Sequence, residues 1–204
     1  EIPLRLVGSE MCIRDRSGIA SRRCFVVETM GRDCGYLALM SGIAAGAERI
    51  YTNEDGISLD DLANDVHWLR ELFAHGRRLF LAVRNENASH NYTTDFIARL
   101  LEEESHGMYD VRQVVLGHMQ QGGSPSPFDR LLANRLGYRA LNLIDDELAA
   151  HQDGSWFIGV NESGMRPCSM DTMPSLIDAA HRRPREQWWL QLRTIARMVS
   201  DEVR

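Results

Sequence analysis

Short apolar runs alternate with longer segments of helical periodicity along most of the chain. The first apolar run is CFVVETM at residues 24–30, and the first helical segment is YLALMSGIAAGA at residues 36–47. The other predicted strands are ERIYTNE, RRLFLAVRNEN, DVRQVVLGHM and SWFIGVNE, and the other predicted helices are SLDDLANDVHWLRELFAHG, YTTDFIARLLEEES, PFDRLLANRLGYRALNLIDDELAA and a helical tail. Strands that alternate with helices pair in parallel and carry helices on both faces. We therefore predict a three-layer α/β fold with a mostly parallel sheet.

Size and composition narrow the class of protein. The 204 residues, 44% of them hydrophobic, can bury one substantial core, and the loops at residues 122–127 and 164–173 are too short for domain linkers. We therefore predict one domain, or part of a larger one. The four scattered cysteines favour a reducing compartment, the net charge of −6 argues against nucleic-acid binding, and no apolar run approaches the ~20 residues that span a bilayer. We expect a cytoplasmic protein without a membrane or nucleic-acid partner.

The basic residues restrict how an anion can be bound. All 23 are arginine, and lysine is absent from the sequence. This excludes a phosphate-loop lysine and a Schiff-base lysine from the chain. An anion site must use arginine, histidine or backbone N–H groups.

Polar groups collect where three predicted strands end. Ligands of parallel sheets bind at the carboxyl ends of the strands, so we expect these groups to face one crevice. Glycines in the same segments let the backbone approach a ligand closely. The groups are Met30, Gly31 and Arg32 after the first strand, Glu86 after the third, and His118, Gln120 and Gln121 before the glycine pair at residues 122–123.

Four arginines suit a phosphorylated ligand, namely Arg23, Arg32, Arg112 and Arg182. An arginine fork binds phosphate oxygens in pairs, and each charge-assisted bond contributes roughly 1.5–3 kcal/mol. Plainer interpretations stay open, because arginines near strand starts are more often solvated or ion-paired, and a lone histidine is as typical of a structural hydrogen bond. Taken together, the pattern indicates a phosphorylated small molecule.

The order and spacing of these motifs resemble the 6-phosphofructokinase family from about residue 22 onward. The segments that carry the resemblance are VVETMGRDCGYLAL, GIAAGAE, LAVRNENASHNYTTDFI, VLGHMQQGGSPSPFDR and HRRPREQWWLQLR. Three of their features, NYTTDF, the glutamine pair and REQWWL, are similar to the carboxyl-terminal half of the tandemly duplicated eukaryotic enzymes. The resemblance implies a phosphofructokinase-like fold that is incomplete at its N-terminus. It also implies a sugar-phosphate subdomain at about residues 17–120, with part of the other subdomain and the C-terminal helices at about 121–204.

The resemblance implies a part in the ATP-dependent phosphorylation of fructose 6-phosphate to fructose 1,6-bisphosphate in glycolysis, with Mg²⁺. In the duplicated enzymes one half is catalytic, and the equivalent site of the other half receives the activator fructose 2,6-bisphosphate. The family also implies a cytoplasmic homo-oligomer, a tetramer. Carried over by residue, the resemblance implies that Arg23, across a subunit boundary, and Arg112 contact a ligand phosphate. It implies that Glu86 contacts sugar hydroxyls and that Arg182 completes the cluster of cations. The residues implied to contact the sugar and second phosphate are Met30, Gly31 and Arg32, and those implied to close the pocket are His118, Met119, Gln120 and Gln121.

Two departures from the family pattern favour a regulatory half. Gln121 stands where catalytic halves have arginine. The glycine-rich ATP-binding turn and the Thr-x-Asp-x-Asp segment with the catalytic base both lie upstream of the portion present. We therefore expect no catalytic residue, no metal site and no bound ATP or Mg²⁺ in this chain, and no turnover by the chain alone.

The N-terminal segment raises a separate hypothesis. Residues 6–15, LVGSEMCIRD, have the translation expected of a sequencing-adapter string. We hypothesise that residues 1–16 are not native, that the adapter accounts for residues 6 to about 16, and that the native sequence resumes near Ser17. We expect the adapter segment to lie outside the sheet.

Other functions remain open at this point. One is a stand-alone module that binds a sugar bisphosphate. Another is a fragment of a catalytic or a pyrophosphate-dependent phosphofructokinase, although NYTTDF and REQWWL fit the pyrophosphate-dependent enzymes poorly.

Overall fold

The computed structural model describes residues 22–151, 153–161 and 164–201. The hypothesis of an adapter origin falls on residues outside this range. The described residues form two compact units, divided after Gly122, and the chain returns to the first unit at Gln187. The boundary therefore lies in the loop that we considered too short for a linker, because a few residues suffice to pass from one packed body to another. Residues from Gln187 onward belong with the first unit, whereas the expected division placed them with the segment after about residue 120.

A four-stranded parallel sheet forms the centre of the first unit. Its strand order is β2-β3-β1-β4, so each strand returns to the sheet through a helix. The prediction of a parallel α/β sheet is confirmed. The strands are β1 (Arg23–Thr29), β2 (Arg49–Tyr51), β3 (Leu79–Asn85) and β4 (Asp110–Val115).

Helices cover both faces of this sheet, as predicted. Side chains alternate between the faces because the side-chain period of a strand is two. Cys24 and Val26 of β1 belong to the apolar cluster that contains residues of α2 and α3, whereas Phe25 and Val27 belong to the cluster that contains residues of α1. Three helices of this unit are α1 (Tyr36–Ala45), α2 (Leu59–Ala74) and α3 (Thr94–Glu103), and short 3₁₀ helices lie at Gly117–Gln121 and Trp188–Leu192.

A capping box at Ser58 begins α2. The Ser58 hydroxyl accepts a hydrogen bond from the backbone N–H of Asp61, and the Asp61 carboxylate accepts one from the backbone N–H of Ser58. This reciprocal capping box satisfies two N–H groups at the helix start. The Ser58–Asp61 hydrogen bonds also lower the pKa of the Asp61 carboxyl from its ordinary value.

The second unit contains one long helix and two small antiparallel pairs of strands. The segment SWFIGVNE forms a strand, as predicted, but it pairs antiparallel with the next strand and is not the last strand of the chain. Only two residues separate these strands, and so short a connection permits only antiparallel pairing. The elements are α4 (Pro127–Ala150), β5 (Trp156–Asn161), β6 (Gly164–Ser169), α5 (Met173–Leu176), β7 (Ile177–Asp178) and β8 (Arg183–Pro184). The C-terminal helix of the first unit is α6 (Arg193–Asp201).

Along α4, a stripe of large apolar side chains faces outward. These residues recur at helical spacing and are more than half exposed, and they are Leu131, Tyr138, Leu141, Ile144 and Leu148. Within the described part of the chain, no helix is both long and apolar enough to cross a membrane.

Candidate functional site

The Glu86 carboxylate links the carboxyl ends of β1 and β3. Its Oε1 atom accepts hydrogen bonds from the backbone N–H groups of Gly31, at 3.0 Å, and Arg32, at 2.7 Å. The backbone N–H of Glu86 in turn donates to the carbonyl of Thr29 at 2.9 Å. A side chain after one strand therefore fixes the loop that follows its neighbour.

Gly31 occupies a conformation and a space that a larger residue does not fit. Its φ is 148°, in the region that favours glycine, and a Cβ atom there lies 2.5 Å from the carbonyl oxygen of Cys34 and 2.7 Å from Nδ2 of Asn85. Arg32 follows with a φ of 47°, which is uncommon for a residue with a side chain. The hydrogen bonds to Glu86 hold this turn in place and leave the Arg32 side chain exposed.

The 3₁₀ helix after β4 brings a third segment to the same edge. The side-chain Oε1 of Gln120 accepts a hydrogen bond from the backbone N–H of Met30 at 2.7 Å. The Nε2 atom of Gln120 is buried and has no hydrogen-bond partner in the described chain. Gln120 therefore offers a donor that the rest of the site does not satisfy.

The predicted strand DVRQVVLGHM is too long. The strand ends at Val115, and Gly117 has a φ of 48°, which ends the extended conformation before His118. His118, Met119 and Gln121 lie with Gln120 in the 3₁₀ helix, and the side chains of all three are exposed. The structure thus joins these segments at one edge of the sheet, as the strand-end pattern predicted, while their roles in binding stay a prediction.

Arg23 and Arg112 lie away from this edge. Arg23 is the first residue of β1, and seven residues at roughly 3.3 Å each place it about 23 Å from Met30 along the strand. Arg112 pairs in register with Phe25, on the face of the sheet that Arg23 shares. The Arg112 side chain is exposed, and the Nε atom of Arg23 is buried without a hydrogen-bond partner among the described residues. Within the first unit, Arg23 and Arg112 therefore lie apart from Arg32.

Arg182 belongs to the second unit. It lies in the turn between β7 and β8, with an exposed side chain and a φ of 52°. Its membership of the anion cluster therefore stays a prediction.

A buried arginine below Glu86 was missed by the sequence analysis. Arg84 is 1% exposed, and its Nη1 atom donates to Oε2 of Glu28 at 2.8 Å and to the backbone carbonyl of Glu86 at 3.0 Å. Burial lowers the pKa of the Arg84 guanidinium from its ordinary value, and the Glu28 carboxylate opposes that shift. A signal was present in the sequence, because Arg84 interrupts the apolar run of LFLAVRN at a position that points into a helix-covered face.

Two clefts flank the sheet. One of about 450 Å³ opens beside Glu86 and is also lined by Arg84, Thr94 and Gln113. A tighter cleft of about 260 Å³ lies at the β2 edge, where Arg193 pairs with Asp55 at 3.1 Å, and no predicted site residue lines it. The first cleft is the one that adjoins the predicted chemistry.

The described residues include no group of three or more histidine, cysteine, aspartate or glutamate side chains placed to hold a metal ion. Polar chemistry at the strand ends consists instead of one carboxylate, one amide side chain and several backbone N–H groups. This arrangement can orient hydroxyl groups and accept hydrogen bonds, and adjacent arginine can add positive charge.

Comparison with known proteins agrees with this architecture. Human muscle-type ATP-dependent 6-phosphofructokinase is 40% identical over 198 residues, which cover 92% of this chain and 25% of that protein. Rat platelet-type ATP-dependent 6-phosphofructokinase is 40% identical over 197 residues with the same coverage. The chain thus spans about a quarter of the length of the curated relatives that it matches.

Solved structures give the same result for the fold. Phosphofructokinase from Saccharomyces cerevisiae superposes with a TM-score of 0.90 at 32% identity, over 98% of this chain and 28% of that chain. Pichia pastoris phosphofructokinase in the T-state gives a TM-score of 0.85 at 30% identity, over 96% of this chain and 24% of that chain. A pyrophosphate-dependent enzyme from Marinobacter aquaeolei shares the fold at 13% identity with a TM-score of 0.63, over 95% of this chain and 53% of that chain.

The family model described as phosphofructokinase matches residues 8–144. Its first matched residue lies inside the segment that we attributed to an adapter, so the match gives that hypothesis no support. The match covers more than half of the sequence, and the relatives of 40% identity agree with it. The chain belongs to the phosphofructokinase family.

Proposed function

We propose that this chain forms the fructose 2,6-bisphosphate site in the regulatory half of an ATP-dependent 6-phosphofructokinase. The full-length enzyme transfers a phosphoryl group from ATP to fructose 6-phosphate, and this segment adjusts that activity by binding the activator. The observation that carries the proposal is the convergence of Glu86, Gln120 and the Met30–Arg32 loop at the carboxyl edge of one parallel sheet.

The chemistry of that edge suits a phosphorylated sugar. A carboxylate accepts hydrogen bonds from sugar hydroxyls and repels phosphate, so Glu86 orients the sugar ring while its Oε1 atom holds the loop. The unpaired Nε2 donor of Gln120 and the exposed guanidinium of Arg32 suit the anionic groups. Arg182 and His118 complete the proposed set.

Arg23 and Arg112 serve, in this proposal, a site on a neighbouring copy. They share one face of the sheet, but about 23 Å of strand separates Arg23 from Met30, which is farther than an arginine side chain reaches. A symmetric oligomer brings the arginines of one subunit to the sugar edge of another. The proposal therefore requires a homo-oligomer, which agrees with the tetramer implied by the family resemblance.

Gln121 favours a regulatory over a catalytic assignment. It stands at the position of an arginine in catalytic halves, and its exposed amide carries no charge. Phosphoryl transfer needs fixed positive charge at the developing transition state, so the substitution weakens a catalytic site more than a receptor site. ATP and Mg²⁺ belong, in this proposal, to parts of the full-length enzyme outside this chain.

Kinetic titration of the full-length enzyme tests the proposal. Arg112→Ala removes one bidentate phosphate clamp, roughly 2–3 kcal/mol, so the activation curve should move to about 30- to 150-fold higher fructose 2,6-bisphosphate. Arg99→Ala is the matched control, because Arg99 is 80% exposed on α3 and forms an ion pair with Asp95 on the same helix. The proposal is wrong if Arg112→Ala abolishes basal turnover and leaves the activator response intact, since the site is then catalytic.

A further inference from the structure

The side chain of Arg84 fills the space beneath the loop that carries Glu86. It is among the largest fully buried side chains of the described chain, and it lies on the face of the sheet covered by α2 and α3. Its register partner on β1 is Glu28, and the two side chains form an ion pair of 2.8 Å. A buried ion pair has to recover the cost of its desolvation through additional hydrogen bonds.

Those additional bonds go to the backbone of the site loop. Arg84 Nη1 donates to the carbonyl of Glu86 at 3.0 Å, and Nη2 donates to the carbonyl of Ser89 at 2.6 Å. Nη1 also lies 3.3 Å from the hydroxyl of Thr94 at the start of α3, and this hydroxyl donates a hydrogen bond to the Glu28 carboxylate. One guanidinium therefore ties both ends of the turn after β3 to β1 and to α3.

We propose that Arg84 is a positioning residue for the sugar-hydroxyl contact of Glu86. A planar guanidinium donates in several fixed directions, whereas a lysine ammonium cannot span the same carbonyls in one geometry. Arg84 fixes the Glu86 backbone on one side, and the Glu86 carboxylate fixes the N–H groups of Gly31 and Arg32 on the other. Loss of the Arg84 hydrogen bonds therefore weakens ligand binding by displacing Glu86. This inference rests on the proposed function of the site.

The test uses the full-length enzyme and the concentration of fructose 2,6-bisphosphate that gives half-maximal activation. Arg84→Lys should raise that concentration by roughly 3- to 10-fold, the effect of one lost hydrogen bond. Arg49→Lys is the matched control, because Arg49 lies in β2 of the same sheet and pairs with the buried carboxylate of Asp65 on α2, and its hydrogen bonds among the described residues reach no residue of the site. Arg49→Lys should lower the melting temperature without moving the activation curve.

A double-mutant cycle separates positioning from general stability. In a Glu86→Ala background, Arg84→Lys should cause no further shift of the activation curve, because its route to the ligand is already removed. Thr94→Val keeps the Arg84 guanidinium and deletes one of its hydrogen-bond partners, so it should move the activation curve in the same direction by a smaller factor. This variant replaces Arg84→Lys in the test if Arg84→Lys does not fold.

Two results overturn the inference alone. One is a lowered melting temperature in Arg84→Lys with an unchanged activation curve, and the other is the same fold-shift with and without Glu86. If neither Glu86→Ala nor Arg112→Ala alters activation, the proposed function fails, and the inference fails with it.

Discussion

The Oε1 atom of Glu86 lies 2.7 Å from the backbone nitrogen of Arg32, 54 positions away in the sequence. This contact connects the end of β3 to the loop after β1, and the same oxygen also accepts the N–H of Gly31. A parallel sheet places such residues side by side, because the carboxyl ends of its strands meet at one edge. In the proposed function, the second carboxylate oxygen of Glu86 meets a ligand hydroxyl.

Replacement of Gly31 by alanine should destabilise the fold by about 1–3 kcal/mol. Its φ of 148° disfavours a side chain, and the new Cβ lies 2.5 Å from the carbonyl oxygen of Cys34. Gly137→Ala provides a control of opposite sign, since Gly137 lies in α4 and an alanine Cβ there meets open space within the described part of the chain, so the change should stabilise by about 0.4–1 kcal/mol. Urea unfolding measures both variants, and equal effects would contradict the account.

Ser58→Ala should destabilise α2 by about 1 kcal/mol and reduce the acid sensitivity of the fold. The Ser58 hydrogen bonds lower the pKa of Asp61 below its ordinary value of 3.8. A group whose pKa is lower in the folded state stabilises fully above its unfolded pKa and loses that contribution as pH falls through the folded pKa. The free energy of unfolding, measured above pH 3.8 and below the folded-state pKa of Asp61, should therefore decline less with acid in Ser58→Ala than in the wild type. An unchanged decline would contradict the assignment.

Gln121→Arg should strengthen the binding of anionic ligands to the site in the full-length enzyme. It adds a cation at an exposed position of the 3₁₀ helix that also holds Gln120, and we expect a gain of roughly 2- to 5-fold that shrinks as salt is added. Gln191→Arg adds the same charge in the 3₁₀ helix Trp188–Leu192 and should leave the affinity unchanged. Equal gains from both variants would show that the effect comes from net charge rather than from the site.

The alternating pattern was sufficient to predict the parallel sheet, because each strand of the first unit is a short apolar run bounded by a cap or a glycine. Helix bounds were predicted equally well. One helix begins at Leu59, directly after Ser58, and the long helix of the second unit has the predicted bounds. The end of β4 could not be read in the same way. Gly117 lies between Leu116 and His118, and only its left-handed conformation shows that the strand has ended.

The strand-end residues were predicted to meet, and Glu86, Gln120 and the loop after Met30 do so. The sequence did not show that Arg23 and Arg112 lie at a distance, because spacing along the chain does not report where a residue falls along its strand. Arg84 was missed for a related reason. Its partners Glu28, Ser89 and Thr94 lie in three segments, namely β1, the turn after β3 and the start of α3, and only the fold brings them together.

The most direct test of the central claim is a calorimetric titration of the full-length enzyme with fructose 2,6-bisphosphate, for the wild type and for Glu86→Ala. Hydrogen bonds to a charged group contribute roughly 1.5–3 kcal/mol, so the variant should bind the activator about 10- to 100-fold more weakly. Its affinity for ATP should stay that of the wild type. An unchanged affinity for fructose 2,6-bisphosphate, accompanied by loss of turnover with fructose 6-phosphate, would contradict the account and place Glu86 in a catalytic site.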